Sequence, residues 1–221
     1  MTRYAAIDCG TNSIRLLITE VTPEGFKEIT RENTIVRLGK GVDATGQLDP
    51  EAIERTRVAL ENYVELMETH GVEAVRMVAT SATRDASNRD EFFSMTRQLL
   101  SKIHPGYQAE VISGEEEALL SFRGAIVDLP EDQGPFCVID LGGGSTEFIV
   151  GTYDGEILGS HSTQMGCVRL TERIMRSDPP TETEVEIARD YVAERIQEVK
   201  TIVPISKAKT SFASFAICSV R

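Results

Sequence analysis

The amino-acid sequence predicts an α/β protein built from two domains of related topology. Segments rich in β-prone apolar residues alternate with segments of helical periodicity along the chain, which is typical of sheets covered by helices. In addition, residues 7–16 align without a gap with residues 139–148, and Asp, Gly and Ser recur at the same offsets. The second half is therefore expected to repeat the topology of the first, with ligands at the carboxyl ends of its strands.

The repeated pattern reads each time as a strand, a tight polar turn and a second strand. Glycine lets the backbone turn sharply and approach a ligand, successive N–H groups form an anion-binding concavity, and hydroxyls add donors. The Asp that precedes each turn repels phosphate, unless Mg²⁺ or another divalent cation lies between them. We therefore predict phosphate contacts from Gly10, Thr11, Asn12, Ser13, Gly142, Gly143, Gly144 and Ser145. A pair of ordinary β-hairpins is the alternative.

The first half of the chain is predicted to contain five strands and two helices. Asp49, Pro50 and Glu51 form a strong helix start, with an N-cap, a proline at the first helical position and an acid in the first turn. In chain order we expect strands at 4–9, 14–21 and 26–38, a helix from 50 to 71, a strand at 74–79, a polar loop at 80–85, a helix containing 92–103 and a strand at 109–112.

The second half begins with a helix opened by Ser113 and Gly114, and a linker follows at 130–135. After the linker we expect strands at 137–141, 147–153 and 156–161 and helices at 168–175 and from 181 to about 203, the last with a capping box. The linker predicts a first domain over 1–130 and a second over 131–221.

Composition excludes several classes of function. The net charge of −12 disfavours nonspecific binding to nucleic acid and to anionic membranes. Aromatic residues make up 6% and tryptophan is absent, which argues against a base-stacking surface. No apolar run reaches membrane-spanning length, and charged residues interrupt residues 1–20, so a signal peptide is not expected. We expect a cytoplasmic protein with no nucleic-acid polymer and no membrane as partner.

Single residues allow more than one interpretation. Glu117 ends a run of three glutamates at a predicted helix start. Such acids stabilise a helix through its dipole, and this is the interpretation that the residues alone favour. The alternative is that one of them activates a water molecule. Arg84 is in a polar loop, and an arginine there is suited to bidentate contact with phosphate. The alternatives are that it is solvated or that it pairs with Asp85. Arg15 and Arg169 are expected on solvated faces.

Five motifs, in order, resemble those of the exopolyphosphatase/guanosine-pentaphosphate phosphohydrolase family of the actin-like ATPase superfamily. They are residues 6–16, 80–88, 112–118, 138–147 and 165–172. The resemblance implies two ribonuclease-H-like (actin-like ATPase) domains, with mixed sheets flanked by helices and an active site in the interdomain cleft.

The resemblance also implies an activity: hydrolysis of a terminal phosphoanhydride bond in inorganic polyphosphate or guanosine pentaphosphate, with Mg²⁺. By motif, Glu117 is then the general base, Asp8, Asp140 and Glu147 hold or orient the metal, and Arg84 with the two turns grips phosphates. The oligomeric state, including a homodimer, is left open.

The match fades after residues 204–208, and the tail at 210–221 contains no glycine, whereas the family has a further Gly/Thr phosphate loop there. We therefore expect a C-terminally incomplete second domain. Three alternatives stay open: an actin-like nucleotide-binding module, a phosphotransferase of the same superfamily, and an inactive truncated fragment. For a phosphotransferase, a late glycine-rich adenosine loop would be expected, and the sequence has none.

Overall fold

The computed structural model describes residues 2–215, which form two mixed sheets flanked by helices. This arrangement confirms the predicted α/β class. Contacts divide the chain into two compact units, Met1–Ile112 and Ser113–Arg221. Within the described residues, no helix combines the length and the apolar character that crossing a membrane requires.

The first unit contains a five-stranded sheet and four helices. Its elements are β1 (Arg3–Cys9), β2 (Ser13–Thr22), β3 (Gly25–Ile35), α1 (Val42–Thr45), α2 (Pro50–Thr69), β4 (Ala74–Ala79), α3 (Ser81–Asp85), α4 (Arg89–Leu100) and β5 (Glu110–Val111). The sheet order is β3-β2-β1-β4-β5. β1 pairs with β2, and β2 with β3, in antiparallel fashion, whereas β4 is parallel to both β1 and β5.

Alternation along the strands places one face of this sheet in the core. Ile7, Leu16 and Met77 are each at most 1% exposed and belong to one apolar cluster with residues of α2 and α4. The predicted start of α2 is confirmed, since the Asp49 side chain accepts a hydrogen bond from the Glu51 N–H at 2.8 Å. This capping satisfies a backbone donor that the helix leaves unpaired.

The second unit has a four-stranded sheet covered by helices on both faces. Its elements are α5 (Gly114–Ile126), β6 (Phe136–Leu141), β7 (Thr146–Gly151), β8 (Ile157–Thr163), α6 (Cys167–Arg173), α7 (Glu182–Ile202) and β9 (Thr210–Phe215). The order is β8-β7-β6-β9, with β9 parallel to β6. The predicted capping box at Thr181 and Glu184 is confirmed.

The two faces of this sheet bury different residues because successive side chains of a strand point to opposite sides. Val138 and Ile149 pack with Phe122 of α5. Cys137 and Val150 pack with Val199 of α7. Asp140 and Glu147 are two residues from Val138 and Ile149, so their side chains are on the α5 face.

The structure differs from the sequence-based expectations in several places. Residues 81–85 form the short helix α3 rather than a loop. β3 ends at Ile35 instead of 38, because the next two N–H groups donate to the Asn12 carbonyl. The unit boundary falls at 112/113 rather than at the linker, because α5 packs on β6, β7 and β8. Residues 216–221 of the tail lie outside the described residues.

The packing of α5 generates a first prediction. Phe122 is fully buried, whereas Leu120 of the same helix is 38% exposed. Phe122→Ala should lower the free energy of unfolding by about 3–5 kcal/mol because it leaves a cavity. Leu120→Ala should change it far less. Denaturant titration measures both, and equal losses would contradict the assigned face of α5.

Candidate active site

The two predicted turns have the same backbone geometry. The Gly10 N–H donates to the Ser13 carbonyl at 2.9 Å, and the Gly142 N–H donates to the Ser145 carbonyl at 3.0 Å. Each hairpin is antiparallel, and the acid in the penultimate position of its first strand has a direct cross-strand partner. The repeat in the sequence is therefore a repeat in structure.

In the second turn, three carbonyls accept hydrogen bonds from the start of α6. The donors are Cys167 N–H to Gly142 O (3.2 Å), Val168 N–H and Arg169 N–H to Gly143 O (2.9 and 3.1 Å), and Arg169 Nε to Gly144 O (2.7 Å). In a planar trans peptide, a carbonyl and the following N–H point in opposite directions. The N–H groups of Gly143, Gly144 and Ser145 therefore point away from α6.

None of these three N–H groups donates a hydrogen bond to any residue in the described part of the chain. Adjacent amides with a common direction and no acceptor form the concavity that binds anions in many proteins. A phosphate oxygen is an acceptor of the right charge and size. The second turn is therefore a candidate phosphate-binding loop on backbone grounds alone.

The first turn is supported in the same way by residues 36–39. The Gly39 N–H donates to the Thr11 carbonyl at 2.8 Å, and the N–H groups of Val36 and Arg37 donate to the Asn12 carbonyl at 3.0 and 2.9 Å. By the same peptide geometry, the N–H groups of Asn12 and Ser13 point away from this supporting segment. A Cβ at Gly39 would lie 2.2 Å from Thr11 Cγ2, so any other residue there would have to displace the Thr11 side chain.

Asp140 and Glu147 bring two carboxylates together. They are direct partners across β6 and β7, so both side chains are on one face. Ser121 Oγ donates to Asp140 Oδ2 at 2.5 Å, and Ser162 Oγ donates to Glu147 Oε1 at 2.8 Å. Glu147 is 1% exposed. Like charges placed opposite each other are destabilising, which a cation would relieve.

A magnesium ion fits this donor set. Mg²⁺ is commonly held by one or two carboxylates, with water and substrate phosphates completing its octahedral shell. The described residues include no cluster of three or more His, Cys, Asp or Glu side chains able to hold a metal. A cation at Asp140 and Glu147 would thus take further ligands from phosphate or water.

Glu117 is on the helix that faces these carboxylates. It is in the first turn of α5, where its N–H donates to the Ser113 carbonyl at 2.9 Å. Residues four apart are neighbours on a helix surface, so Glu117 is one turn from Ser121, which contacts Asp140. A Cβ at Gly114 would be 2.8 Å from Ser162 Cβ. The start of α5 therefore approaches the strand ends that carry the carboxylates.

Asp8, the third predicted metal ligand, has a different cross-strand partner. It faces Arg15 across β1 and β2, and Arg15 Nη1 is 3.9 Å from Asp8 Oδ2. Arg15 is only partly exposed, with 36% of its side chain accessible. In the aligned repeat, Arg15 occupies the position of Glu147. The first hairpin therefore presents a carboxylate beside a cation, and the second presents two carboxylates.

The two arginines of interest have defined contacts. Arg84 of α3 donates from Nη1 to the Ile112 carbonyl at 2.7 Å. α3 begins at Ser81, whose hydroxyl hydrogen-bonds the Thr11 hydroxyl at 2.8 Å, so Arg84 is one helical turn from a residue that contacts the first turn. Arg169 was expected on a solvated face, and this expectation is wrong: it is 9% exposed and holds the Gly144 carbonyl.

A cysteine nucleophile is disfavoured at these strands. Cys9 and Cys137 are free and buried. Burial raises the pKa of both thiols, and at Cys9 the neighbouring Asp8 carboxylate raises the pKa further. Since the thiolate is the nucleophilic form, both residues are structural at neutral pH.

Reasoning from the sequence missed the segments that support the turns, residues 36–39 and 166–169. Each of these two segments contains a glycine, Gly39 or Gly166, that could have indicated a close backbone contact. A Cβ at Gly166 would be 2.3 Å from the Gly143 carbonyl oxygen. Each of these glycines permits a close backbone approach to a turn.

Two mixed sheets, each opening on a strand–turn–strand whose turn amides point outward, define an α/β protein with a duplicated candidate phosphate loop. Residues 17–218 match the Ppx/GppA phosphatase family. The chain belongs to this family.

Individual relatives agree with this assignment. Exopolyphosphatase 2 of Mycobacterium tuberculosis is 55% identical over 95% of this chain and 66% of its own length. The crystal structure of an exopolyphosphatase-like protein superposes with a TM-score of 0.86 at 42% identity, over 96% of this chain and 65% of that one. Guanosine-5'-triphosphate,3'-diphosphate pyrophosphatase of Pseudoalteromonas atlantica is 35% identical over 89% of this chain and 38% of its length. The chain thus spans about two thirds or less of these relatives.

The supporting glycine yields a paired prediction. Gly166→Ala should lower the free energy of unfolding by about 1–3 kcal/mol, because its methyl group would overlap the Gly143 carbonyl. Gly124→Ala, inside α5 with nothing within 4 Å of the new atom, should instead raise stability by about 0.5–1 kcal/mol. Opposite signs in thermal or denaturant unfolding support the tight contact, and a neutral Gly166→Ala would refute it.

Proposed function

We propose that this protein hydrolyses the terminal phosphoanhydride bond of inorganic polyphosphate. The observation that carries the proposal is the row of outward N–H groups at Gly143, Gly144 and Ser145, beside the carboxylate pair Asp140 and Glu147. Exopolyphosphatase 2 of M. tuberculosis, at 55% identity, favours this activity over a nucleotide-binding module without hydrolysis. Guanosine pentaphosphate is a second proposed substrate, because it ends in the same phosphoanhydride bond. The name of one relative, guanosine-5'-triphosphate,3'-diphosphate pyrophosphatase, also gives this nucleotide as its substrate.

Phosphate binding at the turns follows from their amides and hydroxyls. The chain carries a net charge of −12, so a polyanion gains nothing from the overall field of the protein. Local donors have to supply the affinity, and backbone N–H groups do so without any loss of side-chain entropy. We assign phosphate contacts to Thr11, Asn12, Ser13, Gly143, Gly144 and Ser145, with Arg84 near the first turn. The predicted contacts from Gly10 and Gly142 are not retained, because the N–H group of each donates to a carbonyl of its own turn.

Asp140 and Glu147 would hold a divalent cation, which we propose is Mg²⁺. When bound, such a cation neutralises charge on phosphate oxygens. Ser121 and Ser162 orient the two carboxylates through the hydrogen bonds described above. Asp8 remains a proposed contributor to orientation of the metal, although its neighbour Arg15 already offsets part of its charge.

Glu117 is the proposed general base. Phosphoryl transfer depends mainly on positioning and on charge stabilisation, so the base has only to orient a water molecule and accept its proton. A carboxylate one helical turn from Ser121 is suited to this task, since Ser121 contacts Asp140 at the proposed metal site.

The direct test measures phosphate release from polyphosphate, guanosine pentaphosphate and ATP side by side, with and without Mg²⁺. We expect Mg²⁺-dependent release from the first two substrates. Release from none of the three would overturn the proposal for this chain, and release from ATP alone would favour the nucleotide-directed alternative.

Glu117→Gln should reduce kcat by at least about 100-fold, because it removes general-base catalysis, and it should leave pyrophosphate binding unchanged. The control is Glu115→Gln, which removes an equal charge from the same first turn at an exposed site. If both variants lose activity equally, the effect belongs to the helix charge and Glu117 is not the base.

Asp140→Asn should raise the Mg²⁺ concentration for half-maximal activity by about 10-fold or more, because loss of a ligand charge weakens the site. Asp8→Asn should have a smaller effect, since Arg15 lies beside Asp8 at 3.9 Å. Titration of both variants with Mg²⁺ makes the comparison. An unaltered titration for Asp140→Asn would remove Asp140 from the ligand set.

A further inference from the structure

Arg169 is a buried cation that the proposed chemistry does not use. It is in the first turn of α6, is 9% exposed, and donates twice to the second glycine turn: from its N–H to the Gly143 carbonyl at 3.1 Å and from Nε to the Gly144 carbonyl at 2.7 Å. Burial of a guanidinium is costly unless its donors are used.

We propose that Arg169 is a positioning residue that fixes and polarises the peptide between Gly144 and Ser145, so that the Ser145 N–H binds phosphate. This inference rests on the proposed function of the second turn as a phosphate site. A glycine-rich peptide can rotate easily, because glycine restricts its backbone little. A charged donor on the Gly144 oxygen holds that oxygen towards α6 and thereby holds the Ser145 N–H in the opposite direction.

The same contact strengthens the donor. Hydrogen bonds in a chain polarise one another, so a cation on the carbonyl makes the N–H at the other end of the peptide a better donor. Hydrogen bonds with an ionised partner are also shorter and stronger than neutral ones, consistent with the 2.7 Å distance. Arg169 thus transmits positive charge to the phosphate through one peptide and has no need to touch the ligand.

The supporting backbone contacts cannot do this alone. The N–H groups of Cys167 and Val168 hold the carbonyls of Gly142 and Gly143, which orients the N–H groups of Gly143 and Gly144. Among the described residues, Arg169 Nε is the donor that binds the Gly144 carbonyl, and no backbone N–H does so. The directions of the Gly143 and Gly144 N–H groups therefore depend on backbone contacts, whereas the direction of the Ser145 N–H depends on the side chain of Arg169.

The test compares Arg169→Met and Arg169→Lys with Arg173→Met in the 221-residue chain. Methionine keeps the length of the stem and removes the charge, and buried ionic groups often tolerate apolar replacement. Lysine keeps the charge but replaces the planar guanidinium with an ammonium group. Arg173 is exposed on the same helix, so its variant controls for loss of one positive charge. Thermal unfolding of each variant verifies that the fold is kept.

Two readouts are used: the amide resonances of residues 143–145, and the dissociation constant of pyrophosphate in Mg²⁺. In Arg169→Met we expect the Ser145 amide proton to shift upfield and the dissociation constant to rise about 10- to 100-fold, as for loss of a charge-assisted hydrogen bond. Arg169→Lys should fall between this variant and the wild type, and Arg173→Met should match the wild type. With polyphosphate, the loss should appear mainly in KM.

An unshifted Ser145 resonance together with an unchanged dissociation constant in Arg169→Met would overturn the inference. If that variant does not fold, Arg169→Lys decides in the same way, because lysine cannot reproduce the Nε donor geometry, and wild-type values in both readouts would overturn it. The amide shift needs no turnover. A wild-type chain that releases no phosphate would therefore refute the proposed function while leaving this test of Arg169 intact.

Discussion

Both candidate phosphate loops depend on one backbone constraint: the carbonyl groups of each turn accept hydrogen bonds from a supporting segment of the chain. Residues 36–39 bind those of the first turn and residues 166–169 those of the second. Because peptide planarity links the direction of each carbonyl to that of the next N–H, these contacts determine where the amide donors point. The anion-binding property is thus a consequence of packing behind the turn, and the turn sequence alone does not create it.

The two turns share this design but differ in charge. Asp8 faces Arg15 across its hairpin, whereas Asp140 faces Glu147 at the corresponding pair. An acid beside an arginine is already compensated, but two acids on one face need a cation. One position of the repeat, Arg15 in the first hairpin and Glu147 in the second, therefore gives the two hairpins different charge. This difference favours the second hairpin as the one that would hold a cation.

Much of the fold could be predicted from the sequence, because it is encoded locally. Asp49 and Thr181 cap their helices as predicted, and the strand at Ala74–Ala79 has the predicted limits. The contacts that support the turns could not be predicted, since they join residues far apart in sequence. Arg169 shows the difficulty: its polarity suggested solvent, and only the distant Gly144 carbonyl explains why it is buried. The roles of the site residues remain predictions.

The fold favours one of the three adjacent glutamates as the proposed base, whereas the residues of the helix start alone do not distinguish them. Acids at 115, 116 and 117 benefit alike from the helix dipole, so stabilisation of the helix cannot single out one of them. Only Glu117 precedes Ser121 by four residues, the spacing that makes helix residues neighbours, and Ser121 Oγ is hydrogen-bonded to Asp140. One helix face therefore carries both the residue that steadies a proposed metal ligand and the carboxylate that would deprotonate water. A shift of α5 along the sheet would move Glu117 relative to Asp140 and Glu147, and the hydrogen bond from Ser121 to Asp140 opposes such a shift.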